Sequence, residues 1–154
     1  MNYYLNIGTN MGERRDNLYR AVAYLAAGTS GCAVSRIVES EPWGFESDNR
    51  FLNIGVWLES GMDPCEMLDR IHDIEHRLGS ASHRDSQGNY IDRLVDIDIM
   101  AIDDLIIDTP TLQVPHPHLH ERDFFLQPMM QLAPDWHHPV TGLTSAEMLQ
   151  KLHQ

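Results

Sequence analysis

Positive charge, cysteine and long apolar runs are all scarce in this sequence of 154 residues. Eleven lysine and arginine residues stand against 23 aspartate and glutamate residues, which gives a formal net charge of −12. Because a protein that binds nucleic acid needs an excess of basic residues to neutralise phosphates, we expect no nucleic-acid partner. The charge still allows one small polyphosphate ligand, since a few arginines and a metal ion can neutralise it locally.

The two cysteines, Cys32 and Cys65, are too few and too far apart for a disulfide framework or a zinc ribbon. No apolar run approaches the roughly 18 residues of a membrane span, and the first residues lack the features of a secretion signal. We therefore expect a cytoplasmic protein with reduced thiols and no membrane partner. The length predicts one domain, residues 1–154, and we expect it to be a monomer or a weak homo-oligomer.

Strand and helix patterns alternate along the chain. Alternating or continuous apolar runs predict strands at residues 3–7, 33–38 and 51–58. Helical spacing of apolar residues predicts helices at residues 18–25 and 124–132. Two further helices are predicted to begin after the capping sequences that start at Asp63 and Thr144, the first of them ending at Gly79. This order of elements predicts an α+β sandwich, in which helices cover the faces of a sheet.

The most informative segment is residues 93–99, where apolar and acidic residues alternate. The apolar residues predict the buried face of a strand, so Asp96 and Asp98 share its other face, with Cα atoms roughly 6.5–7 Å apart. Two like charges this close favour a bound cation, and carboxylates combined with water and phosphate oxygens suit Mg²⁺. The alternative is an ordinary strand whose outer face is only solvated.

Three cationic residues favour the metal interpretation. Arg93 precedes the two aspartates, and His116 and Arg122 follow them; cations beside a metal–carboxylate pair are what a polyphosphate requires. A second alternative is a zinc site built from the histidines of residues 116–120 and 137–138, but prolines interrupt any regular face there and no cysteine completes the set. Residues 8–12 fit neither common phosphate-loop pattern and predict a strand-to-helix turn.

Five segments, in order and nearly from end to end, resemble the 6-hydroxymethyl-7,8-dihydropterin pyrophosphokinase family, which transfers diphosphate from ATP to a pterin alcohol in folate synthesis. They are Gly-Thr-Asn-Met-Gly-Glu-Arg at residues 8–14, Glu-Ser-Glu-Pro-Trp-Gly at 39–44, Phe-Leu-Asn at 51–53, Arg-Leu-Val-Asp-Ile-Asp at 93–98, and Pro-His-Pro with Glu-Arg-Asp-Phe at 115–124. The resemblance implies a ferredoxin-like α/β sandwich with a mainly antiparallel sheet, and in-line transfer that releases AMP without a covalent enzyme intermediate.

The resemblance also implies a role for each matching position. Two Mg²⁺ ions would be held by Asp96 and Asp98, and Arg93 would lie near the transferred group. The ATP co-substrate would be contacted by four residues: Glu75, Tyr90, His116 and Arg122. The pterin alcohol would be contacted by another four, which are Ser40, Trp43, Asn53 and Phe124.

One segment departs from the family pattern. The family usually carries Gly-Arg-x-Arg after its second helix, whereas Gly79 is followed here by serines at positions 80 and 82. We expect residues 80–92 to form a flexible loop that closes over ATP and brings Arg84 to the phosphates as a catalytic residue. Two alternatives remain open, a weakly active or non-catalytic relative and a ferredoxin-like metal- or ligand-binding module. The otherwise complete set of matching residues favours an active enzyme.

Overall fold

The computed structural model describes residues 1–41, 50–79 and 94–154. The elements follow in the order β1 (Asn2–Thr9), α1 (Arg14–Ala26), β2 (Gly31–Val34), β3 (Val38–Ser40), β4 (Phe51–Glu59), α2 (Pro64–Arg77), β5 (Asp96–Ile102), β6 (Ile107–Asp108), β7 (Gln113–Val114), a 3₁₀ turn (Leu119–Glu121), α3 (Asp123–Leu132) and α4 (Ser145–Leu152). The described helices include none long and apolar enough to cross a membrane.

The main sheet is antiparallel, and β1 lies at its centre between β4 and β5. The outer edge of β4 pairs with β2 along one half and with β3 along the other. The two short strands β6 and β7 form a separate ribbon. The α+β class predicted from the sequence is therefore confirmed. Strand β5, which carries both aspartates, lies at one edge of the sheet.

One face of the sheet packs against α1 and α2. Side chains from β1, β4 and β5 form a continuous core with the apolar faces of the two helices; its members include Leu5, Ile7, Ile54, Val56, Ile97, Leu18, Leu25, Met67 and Ile71. Burying each such side chain contributes about 1.5–3 kcal/mol. This core fixes the register of the sheet, because a slip of one residue would turn every apolar side chain away from the helices.

Helix α3 packs on the opposite face, together with α4 and the 3₁₀ turn. A second buried cluster joins these elements to the end of β5; it contains Met100, Ala101, Leu119, Phe125, Leu126, Met129 and Met148. The helix approaches the sheet closely at Gly55, where an added Cβ would lie 2.5 Å from Cβ of Pro128. Only glycine fits there, so the closeness of α3 to the sheet depends on that residue.

The predicted strand at residues 33–38 is wrong in one respect, because it is divided into β2 and β3. Ser35 lies at the break, where its hydroxyl accepts a hydrogen bond from N–H of Gly55 at 2.8 Å. The N–H of Ser35 in turn donates to the carbonyl of Gly55 at 2.9 Å. A side chain thus replaces part of the backbone ladder, which a hydrophobicity pattern does not reveal.

The predicted helix starts are confirmed. The Asp63 side chain accepts from N–H of Glu66 at 3.0 Å at the start of α2, and Thr144 and Glu147 form a capping box at the start of α4. Each of these contacts satisfies backbone N–H groups that a helix leaves unpaired at its first turn.

Candidate active site

The polar face of the sheet forms the floor of a cleft. Gly8 of β1 pairs with Asn53 of β4 on one side and with Asp96 of β5 on the other. Asn6 pairs with Asp98, and because side chains alternate along a strand all of these residues share one face. The cleft above them is lined by Asn6, Gly8, Ser40, Glu41, Phe51, Asn53, Asp96, Asp98, Arg122 and Phe124.

The predicted alternation in β5 is confirmed. Ile97 and Ile99 are buried in the core, whereas Asp96 and Asp98 are only partly buried on the cleft side. The side chain of Asp98 is 29% exposed. A ligand can thus reach both carboxylates. Because they lie on a strand, their positions are more precise than a loop would allow.

Glu75 of α2 holds this edge strand from outside the sheet. Its Oε2 accepts a hydrogen bond from N–H of Ile97 at 2.9 Å, and the residue is 6% exposed. Ile97 lies between the two aspartates, so the carboxylate of Glu75 supplies the partner that a further strand would otherwise supply. The predicted contact of Glu75 with the nucleotide stays a prediction.

A second depression lies along the outer edge of β5, on the other side of the aspartates. It is lined by residues of α2, of β5 and of the segment around β7, namely Leu68, His72, Glu75, Asp96, Ile97, Asp98, Ile99, Pro110, Thr111, Leu112, Gln113, His116 and Pro117. We call it the edge groove. Asp96 and Asp98 line both the cleft and the edge groove. A ligand bound in the cleft and a ligand bound in the edge groove would therefore meet at these two residues.

His116 lies next to Asp98, and its hydrogen bonds show which ring nitrogen carries the proton. Its Nδ1 accepts from N–H of His118 at 3.1 Å, so the proton of the neutral ring is on Nε2, which lies 3.8 Å from Oδ1 of Asp98. Burial lowers the pKa of His116 to about 4, and the charges of Arg122 and His118 add to this effect. At neutral pH the ring is therefore an uncharged hydrogen-bond donor that faces the aspartates, and not the cation expected from the sequence.

Arg122 and Phe124 lie at the start of α3 and form one wall of the cleft. The guanidinium of Arg122 lies 4.8 Å from the ring centroid of Phe125 and 5.6 Å from that of Phe124. These cation–π contacts hold a positive charge beside the aromatic wall. The structure thus brings both predicted residues to the same cleft as the aspartates.

Asn53 and Ser40 form a small network at the opposite side. The Asn53 amide nitrogen donates to the carbonyl of Val38 at 3.1 Å and to Oγ of Ser40 at 2.8 Å. The protein itself thus uses the amide nitrogen, and the carbonyl of Val38 is the kind of backbone partner that a buried asparagine in a strand needs. The amide oxygen instead faces Gly8, where an added Cβ would lie 3.1 Å from it, so the absent side chain leaves space in front of an acceptor.

Several predicted site residues lie outside the described residues. They are Trp43 in residues 42–49, and Arg84, Tyr90 and Arg93 in residues 80–93. The serines at positions 80 and 82 and the predicted loop closure lie outside the described residues as well. Their roles stay predictions.

Sequence reasoning missed four residues of the cleft: Asn6, Gly8, Glu41 and Phe51. A period of two could have found two of them. Phe51 precedes Asn53 by two positions and so shares its face, and Asn6 is a polar residue in an otherwise apolar strand, two positions before Gly8. Their proximity to the aspartates required the pairing of β1 with both of its neighbours, which the pattern of a single strand does not supply.

Comparison with known proteins decides the family. The model of the family described as 7,8-dihydro-6-hydroxymethylpterin-pyrophosphokinase matches residues 4–134. The chain belongs to this pterin pyrophosphokinase family. The cleft and the aspartate pair both lie within the matched residues, whereas α4 lies beyond them.

Individual pterin pyrophosphokinase relatives agree with this assignment. A 2-amino-4-hydroxy-6-hydroxymethyldihydropteridine pyrophosphokinase of Porphyromonas gingivalis is 38% identical over 138 residues, which are 88% of this chain and 92% of the relative. Folic acid synthesis protein fol1 of Schizosaccharomyces pombe is 32% identical over 151 residues, 97% of this chain but 20% of that longer protein.

The fold also resembles a solved structure of Plasmodium falciparum HPPK-DHPS wild type with pteroate. The TM-score is 0.76 at 16% identity, and the alignment covers 97% of this chain. It covers 42% of the solved chain, so the chain spans less than half of that protein's length. At this identity the likeness shows the fold alone.

Proposed function

We propose that this protein transfers diphosphate from ATP to 6-hydroxymethyl-7,8-dihydropterin and releases AMP, as a step of folate synthesis. The observation that carries the proposal is the position of Asp96 and Asp98, which line both the cleft and the edge groove. A group that is transferred between a ligand in the edge groove and a ligand in the cleft must pass these two aspartates. Membership of the pterin pyrophosphokinase family supports the same reaction.

The pterin alcohol occupies the cleft in this proposal. Its flat ring fits between aromatic side chains, and Phe51 and Phe124 both line the cleft. The oxygen of Asn53 accepts a hydrogen bond from the ring edge, because the amide nitrogen is already used by Val38 and Ser40. Ser40 thus contributes to pterin binding by orienting Asn53 in addition to lining the cleft.

ATP occupies the edge groove, with its phosphates directed toward the aspartate pair. The Nε2–H of His116 donates to a phosphate oxygen, and Arg122 supplies positive charge from the wall of the cleft. Because His116 is uncharged, Arg122 carries the local positive charge among these two residues. Their combined effect is to orient the phosphates and to stabilise charge that develops during transfer.

The aspartate pair fits Mg²⁺ chemically. Two half-buried carboxylates on one strand face provide hard oxygen ligands, and Mg²⁺ in proteins usually keeps waters and takes substrate phosphates as further ligands. Among residues 1–41, 50–79 and 94–154, no group of three or more potential ligands forms a complete protein cage. Asp96 and Asp98 would hold two Mg²⁺ ions together with ATP, and the bound metal would neutralise phosphate charge.

A test of the proposal is an assay for AMP with ATP, Mg²⁺ and the pterin alcohol. We expect AMP to appear only when all three are present, and ADP not to accumulate. Release of ADP or of inorganic phosphate would contradict diphosphate transfer. Binding of both ligands without AMP would support the binding-only alternative, which the serines at positions 80 and 82 favour.

We also propose that the fold is of the ferredoxin-like type. Two features support it when β2 and β3, which pair with the same edge of β4, are taken as one interrupted strand. They are the element order β1-α1-β2/β3-β4-α2-β5 and the antiparallel strand order β2-β4-β1-β5. This is the arrangement of a split β-α-β motif, in which the first strand lies between the third and the fourth. It places β5 next to β1 and therefore brings the aspartates beside Asn6 and Gly8.

A further inference from the structure

The first turn of α3 has an unusual hydrogen-bonding requirement. Pro128 lies inside this helix, four residues after Phe124. Because proline has no backbone N–H, the carbonyl of Phe124 cannot receive the hydrogen bond that an α-helix normally provides at this position. This carbonyl belongs to a residue that lines the cleft.

Asn6 supplies the missing partner. Its Nδ2 donates to the carbonyl oxygen of Phe124 at 2.7 Å, and Asn6 is 2% exposed. Since a carbonyl oxygen can only accept, the contact also fixes which end of the amide faces α3. A buried amide in the central strand of a sheet is costly unless it is hydrogen-bonded, so this residue and the helix depend on each other.

The contact joins the floor of the cleft to its wall. Asn6 pairs in the sheet with Asp98, whereas Phe124 follows Arg122 by two positions at the start of α3. One buried hydrogen bond therefore sets the distance between the strand that supports the aspartates and the turn that carries the arginine and the aromatic ring.

We propose that Asn6 is a positioning residue for pterin binding, which acts through the carbonyl of Phe124. It holds the start of α3 so that the Phe124 ring and the Arg122 guanidinium face the aspartates. The inference rests on the proposed function, in which the pterin alcohol occupies this cleft. If the proposal is correct, the effect of Asn6 depends on Pro128, because a backbone N–H at position 128 would donate to the carbonyl of Phe124 in place of Asn6.

A second contact at the same turn differs in kind. Nε2 of His153 lies 2.8 Å from Oδ1 of Asp123, and both side chains are largely exposed. Exposed pairs of this type contribute little to stability. Asn6 is thus the buried restraint on the turn, and His153 offers a control at its exposed side.

The experiment measures the dissociation constant of the pterin alcohol by calorimetry, in the presence of Mg²⁺ and a non-hydrolysable ATP analogue. We expect Asn6→Ala to weaken pterin binding about fivefold, since one buried hydrogen bond is lost. His153→Ala should change it by less than about twofold. Asn17→Ala is the control for stability, because Asn17 is also buried and its Nδ2 donates to the carbonyl of Met11 at 3.0 Å and to Oγ1 of Thr9 at 3.3 Å, neither of which lines the cleft.

A double-mutant cycle with Pro128→Ala tests the mechanism. Alanine keeps the Cβ that packs against Gly55 and restores an N–H for the carbonyl of Phe124. In this background Asn6→Ala should weaken pterin binding by less than about twofold, since the restored helix bond replaces the lost one. Equal losses in both backgrounds would mean that Asn6 touches the ligand directly, and would overturn the proposal.

The remaining outcomes also decide. If Asn17→Ala weakens pterin binding as much as Asn6→Ala does, the effect is one of general stability and the inference is wrong. If Asn6→Ala does not fold, recovery of folding in the double variant supports the Asn6–Phe124 link, and failure to recover contradicts it. If the wild-type protein does not bind the pterin alcohol, the proposed function itself fails, which is distinguishable from a failure seen only in the variants.

Discussion

Beneath the cleft, the two faces of the central sheet have opposite chemistry although the same three strands build them; elsewhere the second face packs against the apolar cluster around α3. On the face toward α1 and α2, β1 presents Leu5 and Ile7, both fully buried among apolar neighbours. On the other face, the same strand presents Asn6 and Gly8 beneath the cleft. We call them the core face and the cleft face.

The difference shows how one short strand supports both stability and a candidate binding site. Residues alternate between the faces, so the apolar core fixes the strand positions and the cleft residues inherit that precision. The cleft face can then carry side chains that contribute little to stability or oppose it, such as two carboxylates on one strand. Substitutions on the core face should therefore change folding, and those on the cleft face should change chemistry.

The largest effect is expected on the cleft face. Asp96→Ala or Asp98→Ala should remove nearly all turnover, because the loss of a proposed Mg²⁺ ligand should cost several kcal/mol of transition-state stabilisation. Folding should survive and stability should rise slightly in the metal-free protein, since the repulsion between two like charges is relieved. Steady-state kinetics and thermal unfolding measure the two effects. If both variants keep more than about a tenth of the wild-type activity, a loss under ~1.4 kcal/mol, the metal assignment is wrong.

The opposite behaviour is expected on the core face. Leu5→Ala should lower the free energy of unfolding by about 2–5 kcal/mol, because it leaves a cavity at a fully buried position. The turnover of the molecules that remain folded should change only a few-fold. Urea unfolding gives the stability, and activity below the unfolding transition gives the chemistry.

The control on the same sheet is Val34→Ala on β2. Val34 is 46% exposed, so its replacement should change the free energy of unfolding by less than about 0.5 kcal/mol. A collapse of activity in well-folded Leu5→Ala would break the proposed division between the two faces.

The core face could be predicted from sequence with few errors. Apolar alternation in β5 and helical spacing in α2 depend on local periodicity, which a single sequence displays directly. The capping residues at the start of α2 and α4 are equally local, and they mark both helix starts correctly. The division of the predicted strand at Ser35 escaped prediction because it depends on a side-chain contact with a different strand.

The cleft face was predictable only in part. The aspartates, His116 and Arg122 are indicated by their own pattern, and Phe124 by the family resemblance alone; the structure brings these residues together. A buried asparagine in a strand needs a hydrogen-bond partner, but the sequence could not identify Val38 as that partner, because the contact requires the pairing of β3 with β4. The link from Asn6 to Phe124 joins residues 118 positions apart, and no local pattern indicates it.

A smaller effect is expected in the pH dependence of the free energy of unfolding. His116 borders the cleft face, and its pKa is lowered to about 4 from an ordinary value of 6.5 by burial and by the charges of Arg122 and His118. Below 6.5 the unfolded chain takes up a proton that the folded protein does not accept until about pH 4. This stability contribution is therefore complete above pH 6.5 and is lost as the pH falls toward 4.

For metal-free protein, the free energy of unfolding should fall by about 2 kcal/mol between pH 7.5 and pH 5 because of this shift in the pKa of His116. Urea unfolding at the two pH values measures it. The variant His116→Asn keeps an acceptor for N–H of His118 but cannot titrate, so its stability should fall less over the same interval. An identical fall in wild type and variant would show that other groups cause the pH dependence.

Apart from the control variants, the smallest effect is expected at Glu75, which connects the two faces. It lies in α2 on the core side, and its carboxylate holds N–H of Ile97 between the two aspartates of the cleft face. Glu75→Ala removes that acceptor and should cost roughly 1–2 kcal/mol of unfolding free energy. Because the same strand positions both aspartates, turnover should fall as well. Glu75→Gln keeps an oxygen at the same reach, so it should retain more of both properties. If the alanine variant loses stability but keeps full turnover in its folded molecules, the position of β5 does not depend on this contact, and the other contacts of β5, among them its pairing with β1, hold the cleft face.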